Sequence, residues 1–194
     1  MTNRRSILAG LALLCAWSAA APAADLPRKA PPLAISLTNG EQVLLASCKG
    51  KVVAMCFILT GCSHCQLTTG LLVKDQAEYG PRGFQALAAA INQDAAAAVP
   101  GFIKSFHTNF PVGIIDPMKA IDFMHHPPAL VPHMPLLAFI DRQGNIRAQY
   151  EGDNEKFFGA GQEQNLRAQI EALLEESPAV GKGPAKKATP KKGS

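Results

Sequence analysis

The chain has 194 residues, of which 47% are hydrophobic, 18% charged and 6% aromatic, enough for one domain with a sizeable core and too little for two. Two of its nineteen basic residues lie in the first five positions and five in the last fourteen, so residues 24–180 keep twelve against fifteen acidic groups, a balance of −3. This mildly acidic middle excludes a nucleic-acid-binding surface built on bulk charge, and the composition excludes a disordered or collagen-like chain.

Arg4 and Arg5 precede the apolar run Ile7–Ala24, which ends in small residues with an Ala-x-Ala pattern at Ala21 and Ala23. That is the layout of a secretory signal over residues 1–23, so the mature chain is expected outside the cytoplasm, in the periplasm or its equivalent, with no stable membrane insertion after cleavage. Leu14, before Cys15, is not the small residue that a lipidation site uses. Residues 24–32, rich in proline, read as a stiff leader. The domain proper is expected over residues 33–178, and residues 179–194, a Lys/Pro/Gly stretch with almost no apolar side chain, as a disordered tail.

Within the domain, Leu33–Leu37 and Gln42–Leu45 flank Asn39-Gly40, which predicts a hairpin. Val52–Leu59 is a continuous apolar run of strand composition. A helix is expected from Cys62 to about Glu78, with Leu67, Leu71 and Leu72 on its apolar face and a kink at Gly70. A second buried strand, Phe84–Ile91, leads to an alanine-rich helix ending near His107. The segment Phe110–Asp116 is followed by a short helix, Pro117–Met124, and a proline-rich loop. Leu136–Asp141 and Ile146–Tyr150 bracket Gln143-Gly144-Asn145 as a second hairpin, and Glu163–Glu176 closes the chain as an amphipathic helix. Strands alternating with helices and ending in a hairpin and a helix define an α/β domain whose mixed sheet is covered on both faces.

Four cysteines remain once the signal is removed. Cys62 and Cys65 form the C-x-x-C segment Cys62-Ser63-His64-Cys65. No second C-x-x-C and no spaced pair of histidines completes a structural zinc site, and an apolar strand followed by a helix is the setting of a redox motif. Cys56, inside the apolar run, reads as a small buried hydrophobe. Cys48, in a turn, is either a free thiol or a partner for another chain. His125 and His126 are expected on the loop surface.

The order of these parts resembles the thioredoxin fold, and in particular the exported thiol–disulfide oxidoreductases of the TlpA/ResA type. Leu37-Thr38-Asn39-Gly40-Glu41, then Lys49-Gly50-Lys51-Val52-Val53, then the C-x-x-C, then Met134-Pro135, then Phe139-Ile140-Asp141-Arg142-Gln143-Gly144 follow that family's pattern over roughly residues 30–176. The resemblance implies a sheet flanked by helices with an N-terminal β-hairpin extension. It also implies a redox-active Cys62–Cys65 disulfide with no other cofactor, Cys62 as nucleophile at a helix N-terminus that stabilises its thiolate, and Cys65 as the resolving thiol.

Pro135 would be a cis proline beside Cys62 and, with Met134, would receive an extended client. The partners implied are protein thiols and disulfides and an upstream electron donor or acceptor. His64 is similar in place to the histidine of DsbA-type Cys-Pro-His-Cys motifs, where it favours the reduced thiolate; a solvent-facing ring of little effect is the other reading. The chain departs from the pattern in having Gly61 for a tryptophan, Cys56 for a buried acid and Thr68 for a glutamate. A peroxidase motif is absent, since Thr60 lies only two residues before Cys62. Sco-type copper carriers share the fold, and Cys62, Cys65 and His133 form the alternative ligand set, for Cu(I).

Overall fold

A computed structural model describes residues 25–176. The expected signal peptide and basic tail lie outside these residues. The elements are β1 (Arg28–Lys29), β2 (Ala34–Ser36), β3 (Gln42–Leu44), β4 (Val52–Ile58), α1 (Ser63–Tyr79), β5 (Phe84–Ala90), α2 (Ala95–Phe106), β6 (Val112–Ile114), α3 (Pro117–Met124), β7 (Leu136–Ile140), β8 (Asn145–Glu151), α4 (Glu155–Phe158) and α5 (Gln162–Glu175).

All eight strands join one mixed sheet in the order β1-β8-β7-β4-β5-β6-β2-β3. β4 is central, parallel to β5 and antiparallel to β7, and all seven of its residues are buried, which is why it reads as an unbroken apolar run. Its side chains alternate between two cores. Val52, Ala54, Cys56 and Ile58 meet α1, α2, α4 and α5, whereas Val53, Met55 and Phe57 meet α3 and the short 3-10 turn Leu45–Cys48. This is the thioredoxin-like architecture that the sequence implies, with the β2–β3 hairpin added beside β6 through Ser36 and Ile114.

Several local expectations are corrected. The stiff leader adds a strand to the sheet: Arg28 and Lys29 pair with Ile146 and Asn145 as β1, and the Arg28 guanidinium donates to Phe123 O at 2.6 Å and Gln149 Oε1 at 2.9 Å. The edge of β8 offers unpaired backbone groups, and two residues suffice to use them. α1 runs unbroken through Gly70. Leu71 and Leu72 are buried as expected but Leu67 is 56% exposed, and the buried face of α1 is Cys65, Thr68, Thr69, Leu71, Leu72, Asp75 and Tyr79, a helical stripe partly filled by polar residues. α4 was not expected; Asn154 starts it by accepting from the Phe157 backbone N–H at 3.1 Å. Cys48 is buried in the second core. His126 is buried as well, held by Glu151 Oε1 2.8 Å from its Nδ1 and by Leu130 O 3.2 Å from its Nε2.

Candidate active site

The C-terminal end of β4 and the N-terminal end of the antiparallel β7 fall at the same end of the sheet, because Phe57 pairs with Leu136. The Cys62 loop leaves from the first and the Met134–Pro135 loop arrives at the second. Topology thus brings these segments to one end of the sheet although 70 residues separate Cys65 from Pro135 in the chain.

Cys62 is the N-cap of α1. Its backbone is extended (φ −83°, ψ 123°), its N–H donates to Leu59 O at 3.1 Å, and its Sγ accepts from the Cys65 N–H at 3.5 Å. A thiolate at this position meets the unpaired N–H groups and positive end of the helix dipole. Cys62 is half-buried and Cys65, one turn on, is fully buried. Burial pushes the Cys65 thiol above its ordinary value, and the neighbouring Cys56 sulfur adds to the effect. Cys56 faces the same core from β4 and is itself pushed up by burial. All four described cysteines are free thiols.

Ser63 and His64 are exposed, and the His64 ring makes no hydrogen bond among the described residues; only its carbonyl is engaged, by the Thr68 hydroxyl at 2.9 Å. The Met134–Pro135 peptide bond is cis, Pro135 is buried, and Met134 packs against both cores. His133 is not brought into the cysteine site. Its Nδ1 turns to Asp153 Oδ2 at 3.5 Å, and the one metal-sized cluster of histidine, cysteine and acidic side chains among the described residues contains neither Cys62 nor Cys65.

Supporting contacts escape sequence reasoning because they join distant positions. Asn92, after β5, accepts from the Thr60 N–H at 3.2 Å and donates to the Thr60 hydroxyl at 3.0 Å, while Gln66 Nε2 donates to Thr60 O at 3.0 Å. The loop before Cys62 is therefore held from two sides. Behind Cys65, Gln162 Nε2 donates to Thr68 Oγ1 at 2.7 Å, tying α5 to the first turns of α1, and the Thr69 hydroxyl donates to Cys65 O at 2.8 Å. Thr68 and Gln162 are both buried, so this is a satisfied polar pair inside the core. The signal available in the sequence was only the run of threonines on the inward stripe of α1.

A central buried strand, a half-exposed cysteine capping the following helix, a buried partner one turn on and a cis proline at the same end of the sheet define a thioredoxin-like oxidoreductase. The chain belongs to the Redoxin family, which it matches over residues 21–170. Among solved structures it is similar to a thiol:disulfide interchange protein of the thioredoxin family from Chlorobium tepidum, at 22% identity and a TM-score of 0.64 over 76% of this chain and 97% of that one. A Bacteroides thetaiotaomicron protein provisionally assigned as a protein disulfide isomerase shares 25% identity, with a TM-score of 0.62 over 78% and 91% of the two chains. A secreted Mycobacterium tuberculosis disulfide oxidoreductase, homologous to Escherichia coli DsbE, shares 18% identity and a TM-score of 0.59 over 73% and 96%. No curated protein matches the sequence.

Proposed function

We propose that the protein exchanges disulfides with protein clients outside the cytoplasm through Cys62 and Cys65. The observation that carries this reading is the placement of the two sulfurs: Cys62 half-exposed at the helix N-terminus, and Cys65 buried one turn behind it. In the reducing direction the Cys62 thiolate attacks a client disulfide, a Cys62–client S–S bond forms, and the client's other sulfur leaves as a thiolate that takes up a proton. Cys65 then loses its proton and attacks the Cys62 sulfur, forming the Cys62–Cys65 disulfide and releasing the second client thiolate. Two electrons have passed to the client, and oxidation of a client dithiol is the same sequence reversed. An upstream donor or acceptor resets the pair.

Met134 and Pro135 receive the client chain, and His64, exposed between the two cysteines, biases the pair toward the reduced thiolate. The signal-like pattern of residues 1–23 supports an extracytoplasmic site of action. Among the described residues no helix is long and apolar enough to cross a membrane. Equilibration with glutathione followed by peptide mass mapping tests the reading. A single reversible disulfide joining Cys62 to Cys65, with Cys48 and Cys56 left as thiols, is the expected result. Failure to form that disulfide, or a pair that includes Cys48, would overturn it.

A further inference from the structure

His133 is drawn to a different set of groups from the cysteines. Its Nδ1 lies 3.5 Å from Asp153 Oδ2, and one ligand atom each from His133, Glu151 and Asp153 falls within 4.8 Å of the other two. Ligand atoms around a tetrahedral zinc ion, at bonds of roughly 2.0–2.1 Å, stand about 3.4 Å apart. The histidine–aspartate pair already has that span, and the Glu151 carboxylate lies within 4.8 Å of both.

The backbone holds the three residues in place. Gly152 donates its N–H to His133 O at 2.7 Å, and a Cβ on Gly152 would clash with Met134 O, so the end of β8 and the 133–134 segment lie in direct contact only because no side chain intervenes. Behind the cluster His126, its side chain 5% accessible, sits with Nδ1 2.8 Å from Glu151 Oε1. A histidine bonded to one carboxylate oxygen orients the group and leaves the other oxygen for an ion, as the outer partners of metal ligands do. The His133 and Asp153 side chains are 65% and 59% accessible and line an open cleft of about 770 Å³, which leaves room for water beside an ion held there.

We propose that His133, Glu151 and Asp153 bind a divalent cation of the zinc class, at a site separate from Cys62 and Cys65. One imidazole and two carboxylates supply nitrogen and oxygen donors and two negative charges, the donor set of a borderline divalent ion and not of Cu(I), which favours sulfur. Because His133 directly precedes Met134 and Pro135, a bound ion staples that loop to the end of β8. The proposal does not depend on the disulfide-exchange reading.

The test is a Zn(II) titration against a chromophoric chelator on the Cys62→Ser/Cys65→Ser protein, in which the two site thiolates cannot compete for the metal. One equivalent of zinc is expected to bind. His133→Ala and Asp153→Asn, each added to that background, are expected to weaken binding by at least tenfold. Circular dichroism melts confirm that these surface variants remain folded. Absence of binding at one equivalent, or binding that both variants leave within tenfold, would overturn the proposal.

Discussion

Asp75 sits on the inward stripe of α1, 2% exposed, with Oδ2 lacking any hydrogen-bond partner and Oδ1 3.8 Å from Arg167 Nη1. Burial outweighs the attraction of Arg167 and Lys74, with Glu78 and Glu163 adding repulsion, and the carboxyl is raised from 3.8 to about 6. A folded-state value above the unfolded one means that the folded chain holds its proton more tightly. Stability is therefore greatest below about pH 4 as far as this group is concerned, and falls as pH climbs from about 4 to about 6. A shift of roughly two units corresponds to about 3 kcal/mol of destabilisation once Asp75 is ionised. Asp75→Asn removes the charge and keeps the shape, so it stabilises the protein at pH 8 by about 1–2 kcal/mol, the remainder being lost to the amide's own burial and to the missing Arg167 contact. At pH 4 the gain disappears. Urea denaturation of both proteins at pH 4 and pH 8 measures the difference. An Asn variant that is less stable than the parent at pH 8, or a gap that does not change with pH, would show that burial does not hold the Asp75 proton.

Other outcomes follow from the same geometry. Because burial and Cys56 hold the Cys65 thiol high, decay of the mixed disulfide on Cys62 should accelerate roughly tenfold per pH unit through the neutral range, which stopped-flow measurement of resolution checks; a flat profile would contradict it. Gly152→Ala forces apart the contact with Met134 O and loses the bond to His133 O, at a cost of about 2–4 kcal/mol readable in denaturant melts, and a loss below about 0.5 kcal/mol would show that the contact is slack. His64→Pro should lower the reduction potential in glutathione equilibration, and an unchanged potential would assign the exposed imidazole to solvent.

Much of this was legible in the sequence because the strongest signals are local. β4 and β5 are apolar runs too short for helices, α3 begins at Asp116-Pro117 with the aspartate as N-cap, and Asn39-Gly40 and Gln143-Gly144 mark both hairpins. The C-x-x-C stood out by its spacing and its strand-to-helix setting. What failed depended on tertiary context. Leu67 fits the apolar pattern of α1 by spacing, yet the sheet selects the stripe through Cys65, where threonines and Asp75 are satisfied or strained by α5. Arg28 and His126 look like surface residues until β8 supplies the backbone edge and Glu151 that engage them. His133 entered the alternative Cu(I) set through the resemblance to Sco-type carriers, and its nearness to Asp153, twenty residues on, is a tertiary contact that no local pattern announces.

If Cys62 attacks and Cys65 resolves, the mixed disulfide can be trapped by removing the second thiol. The Cys65→Ser and Cys62→Ser proteins, reduced and then mixed with a disulfide-linked peptide, are analysed by intact mass and peptide mapping. A stable peptide adduct on Cys62 is expected in the Cys65→Ser protein, no lasting adduct in the parent, and none in Cys62→Ser. An adduct on Cys48 or Cys65, or equal labelling of Cys62→Ser, would contradict it.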